Sequence, residues 1–322
     1  MPSLNTARPV NELLTEIAVE FANDEDSYVS SKICPTVPVE EETGTYYTFT
    51  LDSFFGDSNE VGNNLVRAPQ AAYLRGGWDL GTGTYACVEY GYEDLIDQRI
   101  AKGLDKYFDV EARCVKSATE KVLIAQEVRV ATLMQTDANW TTNRVTGAGA
   151  ANSEWDAANA VPIDDIDVAM LGILNATGKT ANTLVMGFQT WQAMRKSTQV
   201  TNLLSADERS AITVKDLAPI FADMFGINQI LVSRATRNTA ALGQTATLAS
   251  VWDATDTAWV GYVNPDASKV DPSAAYSFAF EDIAAFSYDE DAIRSSVVRV
   301  NHTVNEAVVA AGLGATITNT IA

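Results

Sequence analysis

Residue types that carry out catalysis are scarce in this sequence. It contains one histidine, His302, and three cysteines, Cys34, Cys87 and Cys114. A lone histidine cannot supply a zinc-binding pair, and no Cys-x-x-Cys spacing occurs for structural zinc or thioredoxin-type chemistry. We therefore predict that the chain is not an enzyme, and we nominate no catalytic, cofactor-binding or metal-binding residue and no cofactor. His302 lies inside a strand pattern and is predicted to be a structural or surface residue.

Two glycine-containing segments resemble nucleotide-binding loops at first sight. In residues 172–180 (GILNATGKT), five residues separate the two glycines where the phosphate-binding loop has four, and the preceding residues have a helical pattern. This segment is therefore predicted to be a helix that ends at Gly178. Gly81 and Gly83 have no third glycine and no helix after them, so they predict a kink in a strand.

Two acidic clusters offer the oxygen ligands that hard cations prefer. Residues 163–167 (IDDID) and 289–291 (DED) do not have the spacing of a calcium-binding loop. The first cluster is predicted to lie at a helix N-terminus, where acids interact favourably with the helix dipole, and the second in a solvated turn. A pair of carboxylates in a cleft is the catalytic arrangement that stays open, and with 42 acidic residues the sequence nominates none.

The overall charge and the chain ends narrow the function further. The sequence has 22 Lys and Arg against 42 Asp and Glu, a net charge of -20. Such a chain repels phosphate, so a dedicated nucleic-acid-binding protein is not expected. Residues 1–21 lack the basic start and apolar run of a signal peptide, and residues 307–317 are too short to span a bilayer. Neither export nor a membrane anchor is predicted, and the sparse thiols suit a reducing cytosol.

The first half of the chain predicts a long hairpin followed by a long helix. Residues 45–51 and 82–90 alternate with a period of two, and the stretch between them is rich in Gly, Asn and Asp. Residues 92–135 have apolar side chains at steps near 3.6, which predicts one amphipathic helix with a bend at Gly103. Because a two-stranded ribbon is marginally stable alone, the hairpin's apolar face (Tyr47, Phe49 and Leu51) must be buried on the chain's own body or on another copy.

The remaining residues predict an arm, a mixed lobe and a returning strand. A short helix around Leu13, Ile17 and Phe21 precedes an extended acidic run. Residues 136–162 are predicted to be a loop. The lobe has predicted helices at 163–175, 189–196 and 215–225, the last broken or started by Pro219, and predicted strands at 183–186, 229–232, 250–253 and 258–263. Residues 293–309 predict a long strand that packs beside the long helix. With 322 residues, two or more lobes are expected.

This order of elements resembles the major capsid proteins of tailed bacteriophages. Residues 85–99 (YACVEYGYEDLIDQR) look like that family's junction of hairpin and spine helix. Trp155 and Asp156, followed by residues 162–166 (PIDDI), look like its entry to the axial lobe. Residues 182–191 (NTLVMGFQTW), 216–218 (DLA) and 226–232 (GINQILV) continue the resemblance. Each piece is a diffuse pattern, and their order along most of the chain carries the resemblance.

The resemblance implies an α+β fold of the tailed-phage capsid type. Its parts would be an N-terminal arm (1–40), an extended β-hairpin loop (41–91), a peripheral domain with the spine helix (92–162), an axial α/β domain (163–283) and the return strand of the peripheral domain (284–322). In this family the loop lies across the adjacent subunit, which would cover the hairpin's apolar face. No lysine lies between Lys32 and Lys102. We therefore expect none of the lysine–asparagine crosslinks that lock some of these shells.

The implied function is that of a structural major capsid protein. It would self-assemble into pentamers and hexamers of an icosahedral phage shell that encloses double-stranded DNA without sequence-specific binding. Assembly in the host cytoplasm and a place in the virion follow, with scaffolding, portal and decoration proteins as further partners. The chain begins almost directly with the arm, so a separate scaffolding protein, or none, is expected. An encapsulin-like bacterial compartment shell is the alternative, and a carboxylate enzyme of the α/β lobe is a more distant one.

Overall fold

A long helix packed on a four-stranded sheet joins an α/β lobe in the computed structural model. The structure describes residues 23, 25–49, 66–67, 69–70, 72–73, 80–104, 109–147, 153–204, 212–266 and 272–322. The predicted helix around Leu13 and most of the predicted hairpin tip lie outside these residues. No helix among the described residues is long and apolar enough to cross a membrane.

The described helices are α1 (Ser30–Ile33), α2 (Gln98–Leu104), α3 (Val110–Gln135), α4 (Pro162–Thr177), α5 (Phe188–Lys196), α6 (Thr198–Leu203) and α7 (Val214–Phe225). The described strands are β1 (Thr36–Pro38), β2 (Thr43–Phe49), β3 (Leu80–Ala86), β4 (Val88–Asp97), β5 (Thr142–Val145), β6 (Thr183–Gly187), β7 (Gln229–Ser233), β8 (Thr236–Asn238), β9 (Leu248–Ser250), β10 (Ala258–Gly261), β11 (Ala275–Glu290), β12 (Ser295–Val308) and β13 (Gly314–Thr318).

The strands form two sheets and two ribbons. The four-stranded sheet has the order β1-β11-β12-β4, with β1 parallel to β11 and the other pairs antiparallel. The five-stranded sheet has the order β5-β13-β10-β6-β7. Strands β2 and β3 pair as the predicted hairpin, and β8 pairs with β9. The C-terminal strand β13 thus pairs inside the sheet of the α/β lobe, between β5 and β10.

The long helix α3 lies against the four-stranded sheet, as the sequence predicts. Ala118 and Val122 of α3 pack on Val300 of β12, and Val110 packs on Val298 and Ile96. The returning strand, predicted at residues 293–309, is β12, and its place beside the long helix is confirmed. A cation–π contact also joins helix α3 to strand β4 of this sheet. Lys121 lies over the Tyr92 ring, with its ammonium 3.9 Å from the ring centroid.

The prediction of one helix from residue 92 to 135, bent at Gly103, is wrong. Residues 92–97 belong to strand β4, where each pairs with a residue of β12 from Val300 to Ser295. Helix α2 ends at Leu104, next to the predicted bend at Gly103. Helix α3 then begins at Val110 behind its own N-cap, because the Asp109 side chain accepts a hydrogen bond from the Ala112 amide.

In the α/β lobe, the predicted helices at 163–175, 189–196 and 215–225 and the strands at 183–186 and 229–232 are confirmed. Three details differ. The predicted loop at 136–162 contains strand β5, which β13 recruits into the sheet. Residues 251–253, predicted as strand, follow the short strand β9. Helix α7 runs through Pro219 without a break.

Candidate functional site

The hairpin that the sequence singles out is anchored at its root by aromatic stacking. Tyr46 of β2 and Tyr85 of β3 both stack on Phe278 of β11, with ring centroids 5.4 Å and 4.8 Å apart. Phe278 is 1% exposed and shares its cluster with Val37 and Val39 from the segment before the hairpin. Burial raises the pKa of Tyr85 and of Tyr46. The root of the hairpin therefore finds its apolar cover on the chain's own sheet.

Glycines opposite the two tyrosines make this stacking possible. Tyr46 is the register partner of Gly83, and Tyr85 is the partner of Gly44. A Cβ atom at Gly83 would overlap the Tyr46 ring, and one at Gly44 would overlap the Tyr85 ring. Gly81 and Gly83 lie in a regular strand with continuous register, so the predicted kink is wrong. These glycines leave space for aromatic side chains across the ribbon.

The other face of the hairpin has no cover among the residues that the structure describes. Tyr47 is 63% exposed, and its neighbours on that face, Thr45, Thr82 and Thr84, are exposed as well. Tyr47 belongs to the predicted apolar face, and the side chains of Phe49 and Leu51 lie outside the described residues. Because an isolated two-stranded ribbon is only marginally stable, this face is available for contact with another molecule.

A second exposed apolar surface lies at one end of the four-stranded sheet. We call it the sheet tip, residues 95–102 and 286–294. The side chains of Leu95, Ile100, Phe286 and Ile293 are 62%, 60%, 56% and 47% exposed. The Gln98 amide donates a hydrogen bond to the Arg294 carbonyl, which joins the start of helix α2 to the turn after strand β11. This bond places the basic Arg99 and Lys102 at the same end of the sheet as acidic residues 289–291. Among the described residues, no salt bridge joins these acidic and basic groups.

The most extensive buried polar junction centres on Glu127 of helix α3, which is 0% exposed. Its carboxylate accepts hydrogen bonds from the amides of Val29, at 3.2 Å, and Ser30, at 2.9 Å. It also accepts from Trp252 Nε1 at 2.6 Å and from Ser233 Oγ at 3.3 Å. One side chain therefore joins the N-terminal segment, the long helix and the α/β lobe. No local pattern identifies it in the sequence, since the donors come from three distant segments.

A bidentate ion pair joins the same helix, α3, to strand β12 of the four-stranded sheet. This pair was not predicted from the sequence. Arg129 of α3 binds the Glu306 carboxylate through Nη2 at 2.7 Å and Nε at 3.1 Å. Its guanidinium carbon lies 3.7 Å from the centroid of the Tyr90 ring of β4. The planar guanidinium of arginine can form two parallel hydrogen bonds to a carboxylate and stack on an aromatic ring, and the ammonium of lysine cannot.

The residues considered for catalysis are not gathered into a site. His302 is 5% exposed, and burial is the main cause that lowers its pKa. Cys34 is buried, and burial raises the pKa of its thiol. Cys87, between β3 and β4, and Cys114, in helix α3, are half-buried. Within the described parts of the chain, no three metal-binding side chains form a cluster. The nomination of no site residue stays a prediction.

The glycine-containing segment 172–180 and the acidic cluster 163–167 have structural roles. Helix α4 ends at Gly178, as predicted. Gly178 has a left-handed φ of 70°, and its backbone N–H donates a hydrogen bond to the Leu174 carbonyl, which is typical of a helix C-terminus. Asp165, in the first acidic cluster, is 0% exposed and accepts from Arg144 Nε and Trp155 Nε1, each at 3.0 Å. The second cluster is exposed, as predicted, but Asp289 and Glu290 end strand β11 and only Asp291 lies in the turn.

A cleft of about 560 Å³ opens between helix α5 and the segment around Trp155. Its charged lining residues are Asp156 and Lys196, and the other polar ones include Gln189 and Gln192. Paired carboxylates, the arrangement left open for an enzyme of this lobe, do not line this cleft. Acid–base work by two carboxylates would need both at the reacting bond.

Comparison with known proteins agrees with the resemblance found in the sequence. A phage major capsid protein from Burkholderia phage BcepMu is 26% identical over 229 residues, which is 69% of each chain. The crystal structure of a phage-related protein from Bordetella bronchiseptica RB50 is 19% identical and covers 92% of this chain and 94% of its own, with a TM-score of 0.69. No protein-family model matches the chain.

Solved particle structures show the same fold. The capsid of a native GTA particle, computed with C5 symmetry, is 16% identical and covers 93% of this chain and 92% of its own, with a TM-score of 0.58. Chains of several phage particles match with TM-scores of 0.54 to 0.58. The encapsulin-like alternative is not favoured. The chain has the α+β capsid fold of the tailed bacteriophages, and its sequence is similar to that of a phage major capsid protein.

Proposed function

We propose that the chain assembles with identical copies into pentamers and hexamers of an icosahedral phage shell. The exposed face of the hairpin around Tyr47 is the observation that carries this proposal, because nothing in the described chain covers it. An adjacent copy would supply the cover. A contact between two different surfaces of identical copies repeats from copy to copy, and it closes into a ring when five or six such rotations complete a full turn.

The charge of the chain suits a shell that encloses double-stranded DNA. A net charge of -20 disfavours tight binding to the phosphate backbone, so packaged DNA would not adhere to the wall. We propose a virion location after assembly in the host cytoplasm, with scaffolding, portal and decoration proteins as further partners. The division into an arm, an extended loop, a peripheral domain, an axial domain and a return strand remains part of this proposal. Strand β11 runs continuously across its boundary at residue 283.

Changing Tyr47 to Ser should weaken assembly and leave the unassembled chain as stable as before. Tyr47 is 63% exposed, so its loss removes little buried surface from one chain. Aromatic residues at the centre of a protein interface typically contribute about 2 kcal/mol or more, which would raise the concentration needed for assembly roughly 30-fold. Light scattering against protein concentration, with electron microscopy of the products, measures this.

Tyr47→Phe is the matched control for this change. It keeps the ring and should assemble near the wild-type concentration. Unchanged assembly of Tyr47→Ser, with the hairpin still folded, would show that this face is not a contact between copies. A wild-type chain that remains a monomer under all assembly conditions would contradict the proposed function itself.

The sheet tip offers a second test, based on charge reversal. If the basic Arg99 and Lys102 of one copy contact acidic residues 290–291 of another, Arg99→Glu with Lys102→Glu should block assembly. Glu290→Lys with Asp291→Lys should block it equally, because each change places like charges opposite one another. The variant with all four changes restores opposite charges and should recover most of the assembly. Particle yield by sedimentation is the measurement, and failure of the fourfold variant to recover would rule out this pairing.

A further inference from the structure

The segment that precedes the hairpin in the chain runs from helix α3 along strand β11 to the start of strand β2 and is anchored at several points. We call residues 29–42 the clasp. Its first residues bind Glu127, its middle forms strand β1 beside β11, and its last residues lead directly into the hairpin strand β2. The Val39 amide donates to the Ala279 carbonyl at 2.9 Å, and the Cys87 amide donates to the Glu42 carbonyl at 2.7 Å.

At the upper end of the clasp, two backbone amides are bound by a single carboxylate. Glu127 accepts the Val29 and Ser30 amides, which are the first amides of helix α1 and have no partner within that helix. Behind them, Val29, Ile33 and Cys34 are each at most 1% exposed and pack on Val130 and Met134 of α3. Anchoring by Glu127 therefore fixes where the clasp begins on the helix.

The lower end of the clasp forms part of the wall that holds the hairpin root. Val37 and Val39 are 3% and 6% exposed and lie in the same cluster as Tyr85 and Phe278. Tyr46, which stacks on Phe278, lies only a few residues beyond the clasp. A displaced clasp would open this cluster on one side and loosen the hairpin where it leaves the body.

We propose that Glu127 is a positioning residue for assembly: it anchors the clasp on helix α3, and the anchored clasp holds the hairpin root against strand β11. This inference rests on the proposed function, in which the hairpin covers a neighbouring copy. A hairpin held at its root meets its partner in one orientation, so less ordering is needed at the moment of contact. Glu127 contributes through the clasp and touches no other copy.

The test replaces Glu127 by Gln, which keeps the volume of the side chain but places an amide group against hydrogen-bond donors. Hydrogen exchange of the unassembled chain should accelerate about tenfold or more at Val29 and Ser30, the change expected for one lost hydrogen bond to a charged acceptor. Exchange should also accelerate at Val39 and Cys87, while strands β6 and β10 keep their protection. Assembly should slow in the same variant. Glu111→Gln, an exposed change on the same helix, is the control and should alter neither quantity.

Three results would overturn the inference. Acceleration restricted to Val29 and Ser30 would show that the anchor is local. Equally accelerated hydrogen exchange throughout the chain, or unfolding of the chain, would show that Glu127 stabilises the whole fold and does not act through the clasp. Normal assembly despite a loosened clasp would show that the hairpin root needs no such anchor. In each case wild-type assembly is unaffected, so the proposed function is tested separately by the wild-type chain.

Discussion

Replacing Phe278 by Ala is expected to destabilise the chain by about 3–5 kcal/mol, the usual cost of truncating a buried aromatic residue. Phe278 is 1% exposed, and three tyrosines, Tyr46, Tyr85 and Tyr276, have their rings within 6.4 Å of its centroid. Its loss leaves a cavity where the hairpin, the clasp and strand β11 meet. Denaturant unfolding of the unassembled chain measures the loss, and hydrogen exchange should show the hairpin root opening first.

Phe286→Ala is the matched control on the same strand. Phe286 is 56% exposed at the sheet tip, and a surface change of this kind usually alters stability by no more than about 0.5 kcal/mol. If both variants lost the same stability, the stacking at the hairpin root would not be what holds the hairpin to the sheet.

The long elements were the ones that sequence could predict best. Helix α3, of 26 residues, ends at Gln135 as predicted, and strand β12, of 14 residues, lies within the predicted range 293–309. The predicted helix start at residue 92 failed for a physical reason. Residues 92–97 contain apolar side chains that suit either period, and pairing with β12 decides in favour of a strand.

Strand β11 shows why other elements escaped prediction. It has 16 residues and is the longest described strand, but its register shifts between Ala279 and Glu281 and again between Glu281 and Ala284. These irregularities interrupt the period of two. Strand β5 is too short for any period, and it exists because β13, near the other end of the chain, pairs with it.

The candidate site also contains features that the sequence predicted and features that it could not predict. Sequence predicted the hairpin and the need to cover it, because both follow from local alternation and the weakness of isolated ribbons. It could not indicate that Phe278 covers the root while the Tyr47 face stays open. The Glu127 junction was equally hidden, since its donors at residues 29, 30, 233 and 252 meet only after folding.

Asp165 lies in the first turn of helix α4, as predicted, but it is also 0% exposed and bound to Arg144 and Trp155, which the sequence did not indicate. It carries the second large prediction. Asp165→Ala should destabilise the chain by about 3 kcal/mol, because removing one partner of a buried ion pair leaves the other groups without compensation. Trp155 Nε1 would lose its acceptor in a buried position, and Arg144, whose side chain is 26% exposed, would regain only part of its hydration. Denaturant unfolding of the unassembled chain measures the change.

Asp164→Ala, one residue earlier, separates burial from the helix dipole. Asp164 is exposed in the first turn of the same helix, so its loss removes only a favourable charge at the N-terminus, at most about 1 kcal/mol. Asp165→Asn should lie between the two alanine variants, because its amide oxygen can still accept one of the two hydrogen bonds. Equal losses for Asp164→Ala and Asp165→Ala would mean that both acids act only through the dipole, and that the contacts with Arg144 and Trp155 contribute nothing measurable.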